Sequence, residues 1–468
     1  MTKYLCLHGH FYQPPRENPW TGKIEKQESA APYHDWNERI TRECYARNLK
    51  NYASISFNFG PTLLSWLKTY HLDVHQGIVK ADQKSRQRFS GHGSAIAQAY
   101  NHMIMPLAND YDRLTQIIWG IKDFEFRFNR KPEGMWLPET AVDIASLEVM
   151  VEKEIKFTIL APNQADYVKR IVDDHWEKAS NESLNTQRSY RCYLPSGKHI
   201  DIFFYDGVLA HQVAFGKWLE RKENFFNYMI KEIKAADDHD LIHLAIDGET
   251  YGHHHKNGVK ALTYLLKNIE SKGQVQLTNY GEFLERHPSE YEVKINEHTS
   301  WSCSHGVERW TADCGCRLDY KAGTSQKWRE HLREALDWLR DALLPVYEEQ
   351  MKKFTDDPWG ARNDYIDVVL GKTPQPKDEQ ARKLLEMQRY AMLMYTSCGW
   401  FFDDISGIET IQILQYAACA MQLAKEAAGV NLEESFLTRL ERAKSNKPSM
   451  YNGRYIYETF VKQGMPAR

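Results

Sequence analysis

The sequence predicts an α/β protein, a parallel α/β barrel or a close variant of one, followed by a bundle of α-helices. Short apolar segments alternate with helical patterns from residue 3 to about residue 285, as in βαβ units. One segment, Leu241–Ile246, is apolar almost throughout, which suits a strand buried on both faces. After about residue 326 the pattern is helical. We therefore expect two domains, residues 1–290 and residues 291–468.

Each element of the predicted barrel has its own signal. Strands are short apolar or β-branched runs bounded by turn residues. In chain order they are Tyr4–Leu7, Ser54–Phe59, Glu133–Glu139, Lys156–Leu160, Ile200–Tyr205, Leu241–Ile246 and Val275–Leu277. Helices are expected at Pro61–Tyr70, Tyr111–Arg130, Ile144–Glu152, Lys217–Ala235 and Val259–Glu270. Residues 163–199 are polar and irregular, so we expect an insertion there.

The C-terminal part is predicted to be helical at 326–353, 377–398, 408–428 and 433–444. In the first of these segments apolar residues recur every three or four positions, which indicates a helix packed in a bundle. Between the second and third segments lies an unusually aromatic and acidic junction that ends in Asp403 and Asp404.

Composition excludes several classes of protein. Lys and Arg total 60 against 63 Asp and Glu, so a net charge of −3 predicts no nucleic-acid or membrane surface. We find no apolar window long enough for a membrane helix, no signal-peptide pattern and no Gly-rich phosphate loop. Eight cysteines in 468 residues do not predict a disulfide framework. We expect a cytoplasmic protein without a cofactor, whose oligomeric state the sequence does not predict.

Two carboxylates, Glu139 and Asp247, follow two different strands of the predicted barrel. Chemistry in parallel α/β folds lies just past the carboxyl ends of the strands, so we expect both at one mouth. Paired carboxylates suit glycoside hydrolysis, in which one ionised group attacks the sugar and one protonated group donates to the leaving oxygen. The structural alternative is that Glu139 caps a helix while Asp247 pairs with an Arg or a Lys.

Histidines gather at the same predicted edge. His8 and His10 follow the first strand, and His253 follows Asp247 by six residues. With His102, these imidazoles suit hydrogen bonds to the hydroxyl groups of a ligand. Alternatively His8, His10 and Asp247 would ligate a metal, because His-x-His with an acid from another strand is a plausible zinc set.

A loop after residue 300 contains Cys303-x-His305 and Cys314-x-Cys316. We expect ordinary reduced thiols here. A zinc site and a disulfide are the alternatives, although the spacing of one residue departs from the C-x2–4-C of structural zinc.

Several motifs resemble those of glycoside hydrolase family 57, the retaining α-glucan-active enzymes. Gly134-Met-Trp-Leu-Pro-Glu139 is similar to the motif whose Glu is the nucleophile, and Asp247-Gly-Glu-Thr-Tyr-Gly-His-His to the motif whose Asp is the general acid/base. His8-Gly-His10 followed by Gln13-Pro14 resembles the first motif. Weaker similarities cover Tyr100–Pro106, Ile202–Asp206 and Cys398–Asp404.

The resemblance implies a (β/α)7 barrel, a helical C-terminal domain that contributes loops to the active site, and no required metal. It implies a double-displacement reaction on an oligosaccharide or polysaccharide, with Glu139 as nucleophile and Asp247 as general acid/base. The residues expected to bind the substrate are His8, His10, Gln13, His102, Trp136, Asp206, Glu249, His253, Trp301, Trp310, Trp400, Asp403 and Asp404. The four Trp residues among them would stack on sugar rings.

The sequence also departs from the family pattern. Phe11 and Tyr12 separate His10 from Gln13, and the cysteine loop is additional, which indicates a divergent subgroup. Substrate does not carry over, because the family includes amylases, glucanotransferases, branching enzymes and α-galactosidases. Two other functions stay open: a metal-dependent enzyme like an α-mannosidase or polysaccharide deacetylase, and a non-catalytic carbohydrate-binding protein.

Overall fold

The computed structural model describes residues 2–272 and 275–465, which form two compact units. The first unit comprises residues 2–13, 26–99 and 124–301. The second comprises residues 14–25, 100–123 and 302–465. Two segments of the N-terminal half therefore belong to the second unit, a division that differs from the expected single boundary near residue 290.

The first unit is a (β/α)7 barrel. In the part of the chain that the structure describes, seven parallel strands follow one another around it. They are β1 (Lys3–Phe11), β2 (Ser56–Phe59), β3 (Ala97–Gln98), β4 (Met135–Trp136), β5 (Phe157–Leu160), β6 (His199–Phe204) and β7 (Leu241–Asp247). Nearly all of their residues are buried, as expected for strands covered by helices.

Strand β1 is central to the barrel. It pairs in parallel with β7 from Tyr4↔Leu241 to His10↔Asp247. On its other side it pairs with β2 through residues 8–11 and with the strand Val275–Leu277 through residues 3–5. Pairing in one direction brings the carboxyl ends of these strands to one edge.

The remaining neighbours complete the ring. β3 pairs with β4 and β5 pairs with β6, both in parallel. Isolated parallel bridges join Phe57 to Ala95 and Gly134 to Phe157. Between β6 and β7 the backbone N–H of Asp206 donates to the carbonyl oxygen of His243 at 3.1 Å.

Helices alternate with these strands as predicted. Those within the first unit are Trp36–Ile40, Pro61–Tyr70, Leu72–Arg88, Ile144–Glu152, Gly207–Phe215, Lys222–Ala235, Gly258–Asn268 and Tyr280–Arg286. The helix Asp110–Phe128 begins in the second unit and ends in the first. Local signals explain their starts: Pro61 occupies a first-turn position, where its missing N–H costs nothing, and the Asp143 side chain accepts from the Ser146 N–H at 3.1 Å.

Residues 163–199 are not irregular, and that expectation was wrong. The segment contains the strands Ala165–Arg170, Glu177–Lys178 and Ser189–Tyr193, and the last of these pairs antiparallel with β6. Tyr291–Ile295 joins the same sheet. In the strand Ala165–Arg170, buried and exposed positions alternate only weakly. Its polar residues therefore mask the two-residue period by which a strand is recognised in a sequence.

The second unit is helical. Its helices are Trp328–Met351, Pro358–Val369, Glu379–Leu393, Cys398–Phe401, Ile408–Ala428, Glu433–Leu440 and Gly453–Ile456. The helix Pro358–Val369 was not predicted. Two hydrogen bonds tie residues 14–25 and 100–123 to this unit. Trp20 donates its indole N–H to the Gln422 side chain at 2.8 Å, and Trp119 donates its indole N–H to the Asn363 carbonyl at 3.1 Å. None of the helices in the described residues is long and apolar enough to cross a membrane.

Candidate active site

Glu139 follows β4 in a backbone conformation that non-glycine residues rarely adopt. Its φ is +58°, and the next residue, Thr140, has a φ of +51°. Two consecutive left-handed residues cost about 1–3 kcal/mol each and persist only where surrounding contacts impose them. Such strain is concentrated at functional sites.

Trp301 fixes Glu139 from two directions. The Trp301 backbone N–H donates to the Glu139 carbonyl oxygen at 3.1 Å, and the indole N–H donates to the carboxylate Oε2 at 3.0 Å. A hydrogen bond to the ionised carboxylate stabilises its negative charge. Trp301 therefore fixes both the backbone and the carboxyl group of Glu139.

Asp247 ends β7, opposite His10 in the register of β1. Its side chain reaches solvent, yet protein atoms surround it closely. This loss of hydration, together with the negative charge of Glu139, raises the pKa of Asp247 to about 7. The charge of Glu139 contributes to this rise, which is consistent with the prediction that the two carboxylates share one site. Asp247 can hold a proton at neutral pH, as a general acid must.

A layer of buried rings packs against Trp301. The rings of His8 and His10 stack on Trp136, with centroid distances of 5.1 and 4.9 Å. Trp136 in turn meets Trp301 edge to face at 5.0 Å. Burial lowers the pKa of both histidines to about 3, so both rings are neutral at pH 7. The layer is a rigid aromatic support on which Trp301 rests.

Asn58 orders the two imidazoles. Its amide Nδ2 donates to Gln98 Oε1 at 2.7 Å and to His10 Nδ1 at 2.8 Å. Its Oδ1 therefore faces His8 Nε2, which must donate, at 3.0 Å. His8 Nδ1 then accepts from the Ser56 hydroxyl at 3.0 Å. Both ring nitrogens of His8 thus have hydrogen-bond partners within the barrel.

Glu249 is buried behind the site. Its Oε1 accepts from the Tyr45 hydroxyl at 2.6 Å and from the Tyr12 backbone N–H at 3.1 Å. Burial, followed by the charge of Asp247, raises the pKa of Glu249 to about 8. The Glu249 carboxyl group is neutral and inaccessible, and it supports the loop that follows β7. This placement favours a structural role over the predicted contact with substrate.

The other predicted residues of the barrel unit lie around the same edge. Asp206 caps the helix Gly207–Phe215 by accepting from the Leu209 N–H at 2.9 Å, and burial raises the pKa of Asp206. His253 is paired through Nδ1 with the Glu43 carboxylate. Gln13 is half-buried two residues after β1.

The remaining predicted residues belong to the second unit. His102, with a φ of +56°, makes a hydrogen bond of 2.6 Å between Nδ1 and the Ser397 hydroxyl. Trp310 and Trp400 are fully buried and donate their indole N–H groups to the carbonyls of Ser397 and Arg329. Rings enclosed in this way fill a core and offer no face to a sugar, contrary to the expected stacking.

The two predicted acids of this unit organise loops. Asp403 accepts from the backbone N–H groups of Leu318 and Asp319, and Asp404 accepts from Ser445 and Asn446. Their oxygens are thereby occupied within the helical unit. Both placements favour an architectural role over substrate contact.

Sequence reasoning missed Asn58 and Tyr205. Asn58 carried a signal, because Ser56 and Asn58 are the polar positions of an otherwise apolar strand and share one face. Tyr205 follows β6, lies 6.3 Å from Trp301 between ring centroids, and has its pKa raised by burial and by the Asp247 charge. Nothing in the pattern distinguished it from a core tyrosine.

Comparisons with known proteins identify the family and the fold. Residues 23–296, more than half of the chain, match the family described as Glycosyl hydrolase family 57. Residues 325–466 match a family described as Domain of unknown function (DUF3536). No curated protein matches the sequence.

Three solved structures share the fold. An exo-type maltose-forming amylase from Pyrococcus sp. ST04 has a TM-score of 0.71 at 15% identity, covering 100% of this chain and 89% of that chain. A GH57 branching enzyme from Thermococcus kodakaraensis has 0.61 at 16%, covering 99% and 96%. The α-amylase AmyC from Thermotoga maritima has 0.58 at 14%, covering 97% and 99%. The predicted barrel with its helical C-terminal region is confirmed.

Proposed function

The chain belongs to glycosyl hydrolase family 57, and we propose that it is a retaining enzyme acting on α-glucans, with Glu139 as nucleophile and Asp247 as general acid/base. The observation that carries the proposal is the contrast between the two carboxyl groups. One accepts an indole N–H at 3.0 Å, a contact that favours its ionised form, and the other has its pKa raised to about 7. Two carboxyl groups whose surroundings separate their ionisation suit a nucleophile and a proton donor.

The proposed reaction has two steps. First, the Glu139 carboxylate attacks the anomeric carbon while Asp247 gives its proton to the departing glycosidic oxygen, which leaves a glycosyl-enzyme ester. Second, Asp247, now ionised, takes a proton from water or from a sugar hydroxyl as that oxygen attacks the same carbon. Glu139 leaves as a carboxylate, Asp247 is protonated again, and the anomeric configuration is retained. This mechanism predicts carboxyl groups about 5–5.5 Å apart.

The substrate class rests on the related structures. An exo-type maltose-forming amylase, a branching enzyme and an α-amylase share this fold over nearly the whole chain. Their names point to α-linked glucose polymers, and a sugar seated beside Glu139 would meet the Trp301 ring. We also infer a cytoplasmic location, supported by eight cysteines that are free of disulfides.

The test is a product analysis by chain length. Wild type, Glu139→Ala and the surface control Glu152→Ala are incubated with maltooligosaccharides, amylose and glycogen. We expect products from wild type and from the control, and none from Glu139→Ala. Shorter products alone identify a hydrolase, and longer and shorter products together identify a transferase. Products from which a debranching treatment releases new chains identify a branching enzyme. Equal turnover by Glu139→Ala, or no product from any α-glucan, would reject the proposal.

A further inference from the structure

Four side chains of the second unit take no part in the proposed reaction. Cys303, His305, Cys314 and Cys316 each offer one sulfur or nitrogen atom, and these four atoms all lie within 4.8 Å of one another. Within residues 2–272 and 275–465 this is the one group of side chains with the spacing of metal ligands. We propose that the cluster binds a single zinc ion with a structural role.

The distances fit a tetrahedral zinc site. Cys303 Sγ lies 3.9 Å from Cys314 Sγ and 3.8 Å from Cys316 Sγ, and Cys316 Sγ lies 3.5 Å from His305 Nδ1. A tetrahedral ion with Zn–S bonds of about 2.3 Å and a Zn–N bond of about 2.0–2.1 Å separates two sulfurs by about 3.8 Å and a sulfur from a nitrogen by about 3.6 Å. All three observed distances agree with those of a Cys3His site.

The same distances do not fit a disulfide. Bonded sulfur atoms lie about 2.05 Å apart, and a disulfide would select one partner for Cys303. Instead Cys303 is almost equally distant from both of the other cysteines. Three thiols around one point, with an imidazole as the fourth corner, form a ligand set for a soft divalent ion.

The charge of the surroundings is complementary. Zinc bound by three thiolates and one neutral imidazole carries a net charge of −1. Arg329 is fully buried and donates from Nη1 to the Cys316 carbonyl oxygen at 2.8 Å. Its Nη2 donates to the carbonyl oxygens of Phe401 and Phe402. A buried cation beside the cluster stabilises the metal-bound thiolates relative to neutral thiols.

The site is closed, which favours a structural role. Four protein ligands complete a tetrahedron and leave no position for water or substrate, as in structural zinc sites. Cys303 and His305 lie at one end of the segment 303–316, and Cys314 and Cys316 lie at the other. The one regular element described within this segment is the short 3-10 turn Glu308–Trp310. Between them Arg309 and Trp310 bond to the carbonyls of Phe401 and Ser397. Zinc would tie the ends of this segment together and hold it against the helices.

The experiment measures metal content in the full chain. The protein is expressed in zinc-supplemented medium and purified under reducing conditions, and zinc per chain is measured by inductively coupled plasma mass spectrometry. We expect about one zinc in wild type and at least about tenfold less in Cys314→Ser, because a lost thiolate opens a four-ligand site. Cys398→Ser is the matched control, since Cys398 is also a half-buried cysteine of the helical unit, and it should keep its zinc.

A second measurement uses only the wild-type protein, so it does not depend on whether a variant folds. Zinc in wild type is released by a mercurial thiol reagent and followed with a metal indicator, and we expect one zinc for every three rapidly modified thiols. Replacement of zinc by cobalt should give the sulfur-to-metal absorption bands of a tetrahedral thiolate site. Wild type without zinc that also fails to form the cobalt spectrum, or zinc retained equally by Cys314→Ser, would overturn the proposal.

Discussion

The ends of β4 and β7 place the same chemical group in opposite surroundings. Glu139 lies in a left-handed turn and accepts an indole N–H from Trp301. Asp247 continues its strand in regular register, and no hydrogen bond to its carboxyl group is found among the described residues. The protein atoms crowded around Asp247 therefore act on it without a compensating hydrogen bond, whereas Glu139 accepts the indole N–H of Trp301. Different local backbones give the two carboxyl groups different surroundings, and this difference is the basis of the two chemical roles that we propose.

The largest expected effect tests the β4 side of this comparison. Glu139→Gln keeps an oxygen for the Trp301 indole but removes the nucleophile, so we expect turnover to fall by about 10⁴-fold or more. The loss should be equally severe for a natural glucan and for an aryl glycoside with a good leaving group, because both need the same attack. Initial rates on the two substrates measure it. A loss confined to the natural glucan would assign Glu139 the role of acid instead.

The β7 side should respond differently to the leaving group. Asp247→Asn removes the proton donor, so we expect a loss of about 10²- to 10⁴-fold on maltooligosaccharides. With an activated aryl glycoside the first step needs little protonation, and the burst of aryl alcohol should survive. Azide, which attacks without a general base, should restore turnover and yield a glycosyl azide. The absence of both effects would remove Asp247 from the acid/base role.

Trp301→Phe isolates the hydrogen bond that distinguishes the two carboxylates. The substitution keeps a ring against Trp136 and removes the indole N–H. A hydrogen bond to a charged group contributes about 1.5–3 kcal/mol, so kcat/KM should fall by about 10- to 100-fold. Trp20→Phe, which also removes an indole hydrogen bond but belongs to the helical unit, is the control. Equal losses in both variants would show a general effect on folding.

The pH profile tests the contrast without a mutation. The first step needs protonated Asp247, whose pKa is raised to about 7 by burial and by Glu139. Since the acid form disappears above that value, kcat/KM should fall about tenfold per pH unit on the alkaline side. Asp247→Asn should lack this limb. A wild-type profile that stays flat to pH 9 would contradict the assignment.

The smallest effect concerns the buried Glu249. Its pKa is raised to about 8 in the folded protein, compared with about 4.3 in an unfolded chain. Between these two pH values the folded state therefore binds more protons than the unfolded chain. As the pH rises through this range, the stabilising contribution of Glu249 to the folded protein is lost. Glu249→Gln removes the titrating group. The melting temperature of the variant minus that of wild type should therefore be larger at pH 9 than at pH 4. An unchanged difference at the two pH values would contradict the shift.

Sequence patterns predicted the barrel correctly because its strands and helices carry local signals. The apolar run Leu241–Ile246 falls within β7, and Asp143 caps the helix it was expected to cap. Glu139 and Asp247 were expected in one site from strand ends alone, and this site stays a prediction that the variants above test.

Other features depend on contacts that no local pattern carries. Trp301 and Trp310 look alike in the sequence, but one donates to Glu139 while the other is enclosed in the helical unit. The helix Pro358–Val369 has no strong amphipathic period, because polar and apolar positions mix around its surface. The membership of residues 100–123 in the helical unit follows from tertiary packing, such as the hydrogen bond from Trp119 to Asn363.

The N-terminal strand has a consequence for how the chain is made. β1 leaves the ribosome first, yet its partners β7 and Val275–Leu277 are synthesised only after most of the barrel. Until then β1 has β2 as a partner only along residues 8–11, and the edge that β7 will cover stays unpaired, a state prone to wrong pairing with other chains. Such distant pairing also makes folding slow. A chain stopped before residue 241 should therefore aggregate, and the nascent barrel is the stage at which this protein most needs a chaperone.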